Sequence, residues 1–454
     1  MKYAAYERYV PSESLWLDQL PSHWQKLRIK HVIERMESGV SVNSDASPAT
    51  SDEIGVLKTS CVYGDQFSTQ ENKRVLEDEV ERVACHVKAD RLIISRMNTP
   101  ELVGSCGYVG QDFPNLYLPD RLWQTVFSKS RECLPRFAWY YLTSRPAKAA
   151  ISSLAAGTSG SMQNIAQDAF VGIGFPLPPF DEQKAIARFL DAKTAQIDAL
   201  VAQKRQLIAK LKEKRSALIA RTVTRGLPPE AAKAAGLEPN PEMKDSGVDW
   251  LGTIPCHWDI EKFSREVHIA EGQVDPEREP FASMFLIAPN HIESGTGRLL
   301  ALETAAEQFA ESGKYLCPAD AVVYSKIRPA LRKVVIAPEQ CLCSADMYPL
   351  TCKKKLLNPY LYWLMLSDQF SAWSVLEADR VAMPKINRET LNELRLPIPP
   401  KKEQLKIVEY LATETVKADN LLAKAEAVIN RLTEYRQALI TSAVTGKIDV
   451  RGLA

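Results

Sequence analysis

Phe175-Pro176-Leu177-Pro178-Pro179-Phe180-Asp181-Glu182-Gln183-Lys184-Ala185-Ile186-Ala187-Arg188-Phe189-Leu190 decides the fold, because it occurs twice. It returns as Leu396-Pro397-Ile398-Pro399-Pro400-Lys401-Lys402-Glu403-Gln404-Leu405-Lys406-Ile407-Val408-Glu409-Tyr410-Leu411. Each copy reads as a proline-stiffened extended segment that hands over to a helix, since proline suits the run-in and first turn of a helix but not its interior. The glutamate in each first turn faces the positive end of the helix dipole.

A long helix follows each copy. Leu190, Ile197, Leu200, Leu207, Leu211 and Leu218 recur at heptad-related spacings after the first, and Leu411, Leu421, Val428, Leu432 and Leu439 after the second. No proline or glycine interrupts Asp181 to Arg225. Each helix is expected to run about 40 residues, or about 60 Å. Lys193, Lys204 and Lys214 fall in or beside the seam, so one stripe is expected to pair within the chain and the rest to be wider or bound elsewhere.

The duplication extends beyond the helices. Trp16-Leu17-Asp18-Gln19-Leu20-Pro21-Ser22-His23-Trp24 is answered by Trp250-Leu251-Gly252-Thr253-Ile254-Pro255-Cys256-His257-Trp258. Arg91-Leu92-Ile93-Ile94-Ser95-Arg96 is answered by Ala321-Val322-Val323-Tyr324-Ser325-Lys326, and the aromatic helix from Phe137 by the one from Tyr360. Two modules therefore follow in the same order, the second shortened by loop deletions, at a period far longer than that of solenoid repeats. Each alternates β-prone runs with turn residues before its aromatic helix, which reads as a small α+β domain. His23 and His257 are expected to be structural, hydrogen-bonded to backbone, because no metal-ligand partners lie near them in sequence.

The expected boundaries are a first module over 1–179, a helix over 180–226, a linker rich in Pro, Ala and charge over 227–248, a second module over 249–400, and a second helix with its tail over 401–454. Parallel helices would force the linker to travel back about 60 Å nearly fully extended. Antiparallel pairing is easier and makes the molecule pseudo-two-fold, with one module at each end of a stiff rod.

At 454 residues the chain is too long for one core. It has 45% hydrophobic residues and a formal charge of +1, with no apolar run of transmembrane length and no signal-peptide core at the N-terminus, so a cytoplasmic location is expected. The nine cysteines form no CxxC pair, which favours buried reduced thiols over disulfides or zinc.

Polar loops flank the strands at equivalent places in the two modules. Lys58-Thr59-Ser60 matches Asn290-His291, and Ser95-Arg96 with Asn98 matches Ser325-Lys326 with Arg328. A third loop carrying Thr158, Ser159, Gln163 and Asn164 matches one carrying Arg380 and Lys385. Such side chains at strand ends suit contacts to base edges and phosphates; they also occur in any solvated loop. Near-neutral charge argues against a strongly basic DNA binder. The segment from Asp181 to Arg225 nevertheless holds eleven Lys/Arg against five Asp/Glu, and phosphate affinity can be shared with a partner.

In Gly226-Leu227, the run Asp245-Ser246-Gly247-Val248-Asp249 through Trp258 and the two Pro-rich Glu-Gln helix starts, the chain resembles the specificity subunit of type I restriction-modification systems, over essentially its whole length. The resemblance implies that each module is a target-recognition domain reading half of a bipartite double-stranded DNA site. The paired helices would form an antiparallel intramolecular coiled coil that spaces the modules and docks two methyltransferase subunits. Restriction subunits would join for phage defence, and S-adenosylmethionine and ATP would be held by those partners.

No catalytic motif competes with this reading. Asn358-Pro359-Tyr360 lacks the second proline of an adenine-methyltransferase site, and Gly104-Ser105-Cys106-Gly107-Tyr108-Val109-Gly110 has the wrong spacing for a dinucleotide loop. A non-catalytic chain without cofactor or metal of its own is expected. An interaction scaffold that binds protein rather than DNA, or an enzyme with an unfamiliar site, are the alternatives. DNA preference of the purified complex tests the first, and methyl transfer or cleavage by the isolated chain tests the second.

Overall fold

The computed structural model describes residues 3–14, 16–159, 162–378 and 384–453, with the backbone alone at 13–14 and 156–159. It divides into two compact units, residues 1–203 with 428–454 and residues 204–427. Each is α+β, and each takes part of both long helices.

In the first unit, one four-stranded antiparallel sheet runs Cys106–Val109, Arg91–Ser95, Leu122–Phe127, Ile33–Ser38. The second unit repeats this order with Val334–Ile336, Val322–Ser325, Met347–Cys352 and Val267–Ile269. The apolar runs seen in the sequence form the central strands: Leu92, Ile93 and Ile94, like Val322 and Val323, are fully buried. A second sheet in each unit shares three strands. Gly55–Leu57 lies parallel to Phe113–Tyr117, which pairs with His86–Val87, and Leu286–Ile287 lies parallel to Cys341–Cys343, which pairs with Lys314–Cys317. The fourth strand is added on opposite edges, Asn72–Arg74 beside Gly55–Leu57 in one unit and Gln273–Val274 beside Lys314–Cys317 in the other.

The proline segments are strands. Gly174–Leu177 pairs with Gln25–Arg28, and Arg395–Ile398 with Asp259–Lys262. Each stops at a Pro-Pro pair, where the helices Phe180–Arg225 and Lys401–Val444 begin. The Glu and Gln of the two helix starts then fasten each module. Glu182 accepts from Trp24 Nε1 at 3.0 Å and from the Tyr6 hydroxyl, and lies 2.8 Å from His23 Nε2. Glu403 likewise takes Trp258 Nε1 at 3.1 Å and lies 2.8 Å from His257 Nε2. Burial, together with the adjoining carboxylate, pushes the Tyr6 phenol far above its usual range, so it remains a donor. Gln183 accepts the Leu134 N–H at 2.7 Å and donates to the Glu132 and Pro178 carbonyls, and Gln404 repeats this with Leu357, Lys355 and Pro399. The histidine expectation is thus corrected: both histidines meet a helix-start carboxylate, not backbone.

In the first unit the early part of the first long helix meets the late part of the second, with Arg436 Nε 3.0 Å from Asp198. In the second unit the late part of the first meets the early part of the second, with Arg215 Nε 2.9 Å from Asp419. The pair is therefore antiparallel. Its seam differs in phase from the leucine heptads. Leu190, Ile197, Leu411 and Leu439 are buried, and Leu211, Leu218 and Leu432 half-buried, but Leu200, Leu207, Leu421 and Val428 are exposed. The inward positions beyond Ile197 are Val201, Lys204, Ile208, Leu211 and Arg215. One residue of offset turns a helical side chain by about 100°, enough to carry a leucine off the seam.

Residues 227–248, expected to be a linker, are built into the second unit. They carry the helix Pro229–Ala234 and the strand Met243–Asp245, which pairs with Thr253–Pro255, and they bury Leu227 and Ala232. In the first unit the same place is filled from two distant parts of the chain. Tyr9–Ser14 pairs with Leu17–Pro21, and the segment after the second long helix returns to it, with Asp449 N–H donating to Ala4 O at 2.8 Å. That segment leaves its helix through Gly446, at φ +72°, where a Cβ would stand 2.4 Å from Pro21 Cδ. Gly446→Ala is expected to destabilise the first unit by about 1–3 kcal/mol, read as a lowered melting transition.

Candidate nucleic-acid interface

Both units build the same backbone cradle at the end of their central strand. In the first, Ser95 leads into Arg96, whose N–H donates to Arg121 O at 3.1 Å and whose carbonyl accepts from Ile165 N–H at 3.0 Å. The short strand Met97–Asn98 then pairs with Met162–Asn164, setting Asn98 against Gln163 and Met97 against Asn164. In the second, Lys326 N–H donates to Asp346 O at 3.0 Å and Lys326 O accepts from Ile386 N–H at 2.9 Å, with Ile327 bridged to Lys385. Arg96 and Lys326 therefore occupy one position in two copies of the same frame. Two of the three loops singled out in the sequence converge here in each unit.

The side chains divide into those spent on the frame and those left facing out. Ser95 and Ser325 are buried, each Oγ turned to the carbonyl two residues on. Asn98 is buried too, bonded to Tyr63 Oη, Ser95 Oγ and Thr99 N–H. His291 is buried, with Nδ1 accepting the Ala288 N–H at 3.2 Å. These four were candidates for contact and are corrected to structural roles, because turning a tight corner consumes the nearest polar groups. Lys58 and Ser60 both engage Glu71, and Thr59 is half-buried beside them.

Asn164, Asn290, Arg328 and Lys385 are exposed, and Arg96, Gln163 and Lys326 half-buried. Arg328 holds a left-handed backbone at φ +49° and donates its N–H to Pro384 O at 2.8 Å, which presents its side chain outward. Lys326 Nζ lies 5.4 Å from the Tyr348 ring centre, and Arg388 stacks on the same ring at 5.2 Å. Arg96 Nε is buried and has no hydrogen-bond partner among the described residues. Arg380 lies outside the described residues, as do the side chains of Thr158 and Ser159.

Sequence reasoning missed Tyr63, which closes over Asn98, as well as Arg388 and Tyr348. Only the adjacency of Tyr63 to the Lys58-Thr59-Ser60 loop signalled any of them. Among the described residues no group of three His, Cys, Asp or Glu side chains could hold a metal ion, and no helix is long and apolar enough to cross a membrane. Cys256 is exposed, against the expectation of buried thiols, while Cys85 and Cys352 are half-buried and the other six buried.

A family model for the type I restriction modification DNA specificity domain matches residues 21–210 and 286–431, one stretch on each copy of the duplication. The chain belongs to the type I restriction-modification specificity family. Among relatives, the EcoDI specificity subunit of Escherichia coli is 30% identical over 304 residues, covering 65% of this chain and 67% of that one. The MjaVIII specificity subunit of Methanocaldococcus jannaschii is 21% identical over 314 residues, covering 66% and 68%. Two solved structures share the fold of this chain. One, from work on complex assembly and conformational transition of the type I R-M system, has a TM-score of 0.65 at 15% identity and covers 94% of this chain and 99% of its own. The other is the HsdS subunit from Thermoanaerobacter tengcongensis, with a TM-score of 0.50 at 16% identity, covering 94% and 98%.

Proposed function

We propose that the chain is the sequence-reading subunit of a type I restriction-modification complex. Each unit would read one half of a bipartite double-stranded DNA site, without catalysis of its own. The observation that carries this is the repeated cradle presenting Arg96 and Lys326 on identical backbone bonding within a chain of the specificity family. Two copies of one frame bearing different side chains suit two half-sites of different sequence. Exposed Asn164, Arg328 and Lys385 supply donors for base edges and phosphates, and the near-neutral net charge leaves part of the phosphate affinity to partners.

Those partners would be two methyltransferase subunits holding S-adenosylmethionine, and restriction subunits using ATP, in the cytoplasm. The apolar side chains turned away from the helix seam, Leu200 and Val428 in the first unit and Leu207 and Leu421 in the second, give each unit its own apolar positions for a methyltransferase to dock on. Leu207→Asp is expected to shift the melting transition by no more than about 0.5 kcal/mol, as at other exposed sites, and to prevent co-purification of the methyltransferase. An intact complex would remove Leu207 from the docking positions.

The function is tested by mapping adenine methylation in a host lacking other adenine methyltransferases, with this chain expressed beside its neighbouring methyltransferase. A bipartite motif with a fixed gap, absent without this chain, is expected. A stable, active complex with no motif would favour a protein-binding scaffold.

A further inference from the structure

The second unit carries an apolar surface beside its reading loop that the first unit lacks. The turn Pro329–Leu331, directly after Arg328, faces the end of the helix Asp368–Glu377 across a shallow concavity lined by Ala330, Ala372, Val375 and Leu376. Leu331, Val375 and Leu376 are 39%, 47% and 77% exposed. Arg332 forms the floor, its guanidinium paired with Asp368 and donating to Ser216 Oγ at 3.1 Å, so the charges beneath are already neutralised. The corresponding residues of the first unit are Glu101, Ser152 and Ser153, all exposed and none of them apolar.

We propose that Leu331, Val375 and Leu376 read the C5-methyl group of thymine in the half-site bound by the second unit. This rests on the DNA-reading function proposed above. The surface adjoins the interface through Arg328, which immediately precedes its turn and whose N–H is tied to Pro384, next to exposed Lys385. These cations draw a polyanion to the edge of the patch, while exposed Glu377 beside Leu376 repels phosphate and turns the patch toward base edges. The thymine methyl is the one apolar group that the major groove presents. A methyltransferase present once per unit would meet an equivalent surface twice, whereas this patch occurs once. Half-sites that differ in sequence account for a feature confined to one unit.

The test uses the full chain in complex with its methyltransferase. Each thymine of the mapped target is replaced singly by deoxyuridine, which removes only the methyl group. At one thymine or more within one half-site, affinity is expected to fall about threefold to fivefold, the worth of one buried methyl. Leu376→Ala, at a site too exposed to endanger folding, is expected to abolish that sensitivity while leaving the other half-site unchanged. The proposal is overturned if Leu376→Ala alters the response to deoxyuridine at no thymine, or if neither half-site contains thymine. It is also overturned if the variant binds DNA as before but no longer holds its protein partner, which would make the patch a protein-docking surface. Absence of any sequence preference in the unmodified complex would instead refute the DNA-reading function itself.

Discussion

Glu182→Ala is expected to destabilise the first unit by about 3–5 kcal/mol. The carboxylate is the acceptor for the Tyr6 hydroxyl and for Trp24 Nε1, and both of those residues are almost wholly buried, at 6% and 4% exposure. Its loss leaves two buried donors unsatisfied, at about 1–3 kcal/mol each, and removes the partner of His23 Nε2. Glu403→Ala strands one such donor, Trp258 Nε1, beside His257, and is expected to cost less, about 2–3 kcal/mol. Chemical unfolding followed by tryptophan fluorescence resolves the comparison, with Glu182→Ala moving the transition of the first unit alone. Equal, small shifts for the two variants would show that water replaces the carboxylate and that the helix starts do not fasten the modules. Glu182→Gln retains an acceptor oxygen and should fall between wild type and alanine.

Arg96→Ala and Lys326→Ala are each expected to weaken specific binding by about 10-fold to 100-fold, the range of a well-formed side-chain bond to a base. Each should act on its own half-site, since each residue sits in its own unit. Affinity measured across a salt series, with the methylated motif of each variant, separates the two ways of contributing. If the side chain bonds a base edge, its removal relaxes one position of one half-site. If it bonds a phosphate, removal weakens binding to all sequences alike and lowers the salt slope by about one. Unchanged affinity and motif in both variants would remove the paired cradles from the interface. Arg96 should show the larger effect, because its guanidinium fork supports two parallel bonds where lysine offers a point charge.

What the sequence makes legible is what repeats. The Pro-Pro-x-x-Glu-Gln helix starts, the paired His-Trp motifs and the order of strands all appear twice, and repetition separates them from accident. Phase along the helices is harder to read. Leucines at 200 and 207 look like seam residues, but the inward face at Val201, Lys204 and Ile208 includes a lysine whose stem can lie along apolar surface. The partner of a single histidine is likewise hidden when it lies far along the chain, as Glu182 lies from His23. Among the residues expected to contact DNA, exposure was not readable. Ser95, Asn98, Ser325 and His291 have the chemistry of DNA-binding residues, yet the corners they occupy use that chemistry internally.

The core of the first unit includes Leu439, Ile440, Ala443, Val444 and Val450 alongside Trp24 and Phe137. Residues 204–427, the whole of the second unit, lie between these two groups in the chain. A ribosome therefore makes most of the first unit early and must hold it incomplete until the entire second unit has emerged, reversing the usual order in which domains finish from the N-terminus. The half-built unit bears the unmatched apolar faces of Tyr6, Trp24 and Leu190 throughout that interval. Protection by chaperones during synthesis should accordingly fall on the module that is translated first.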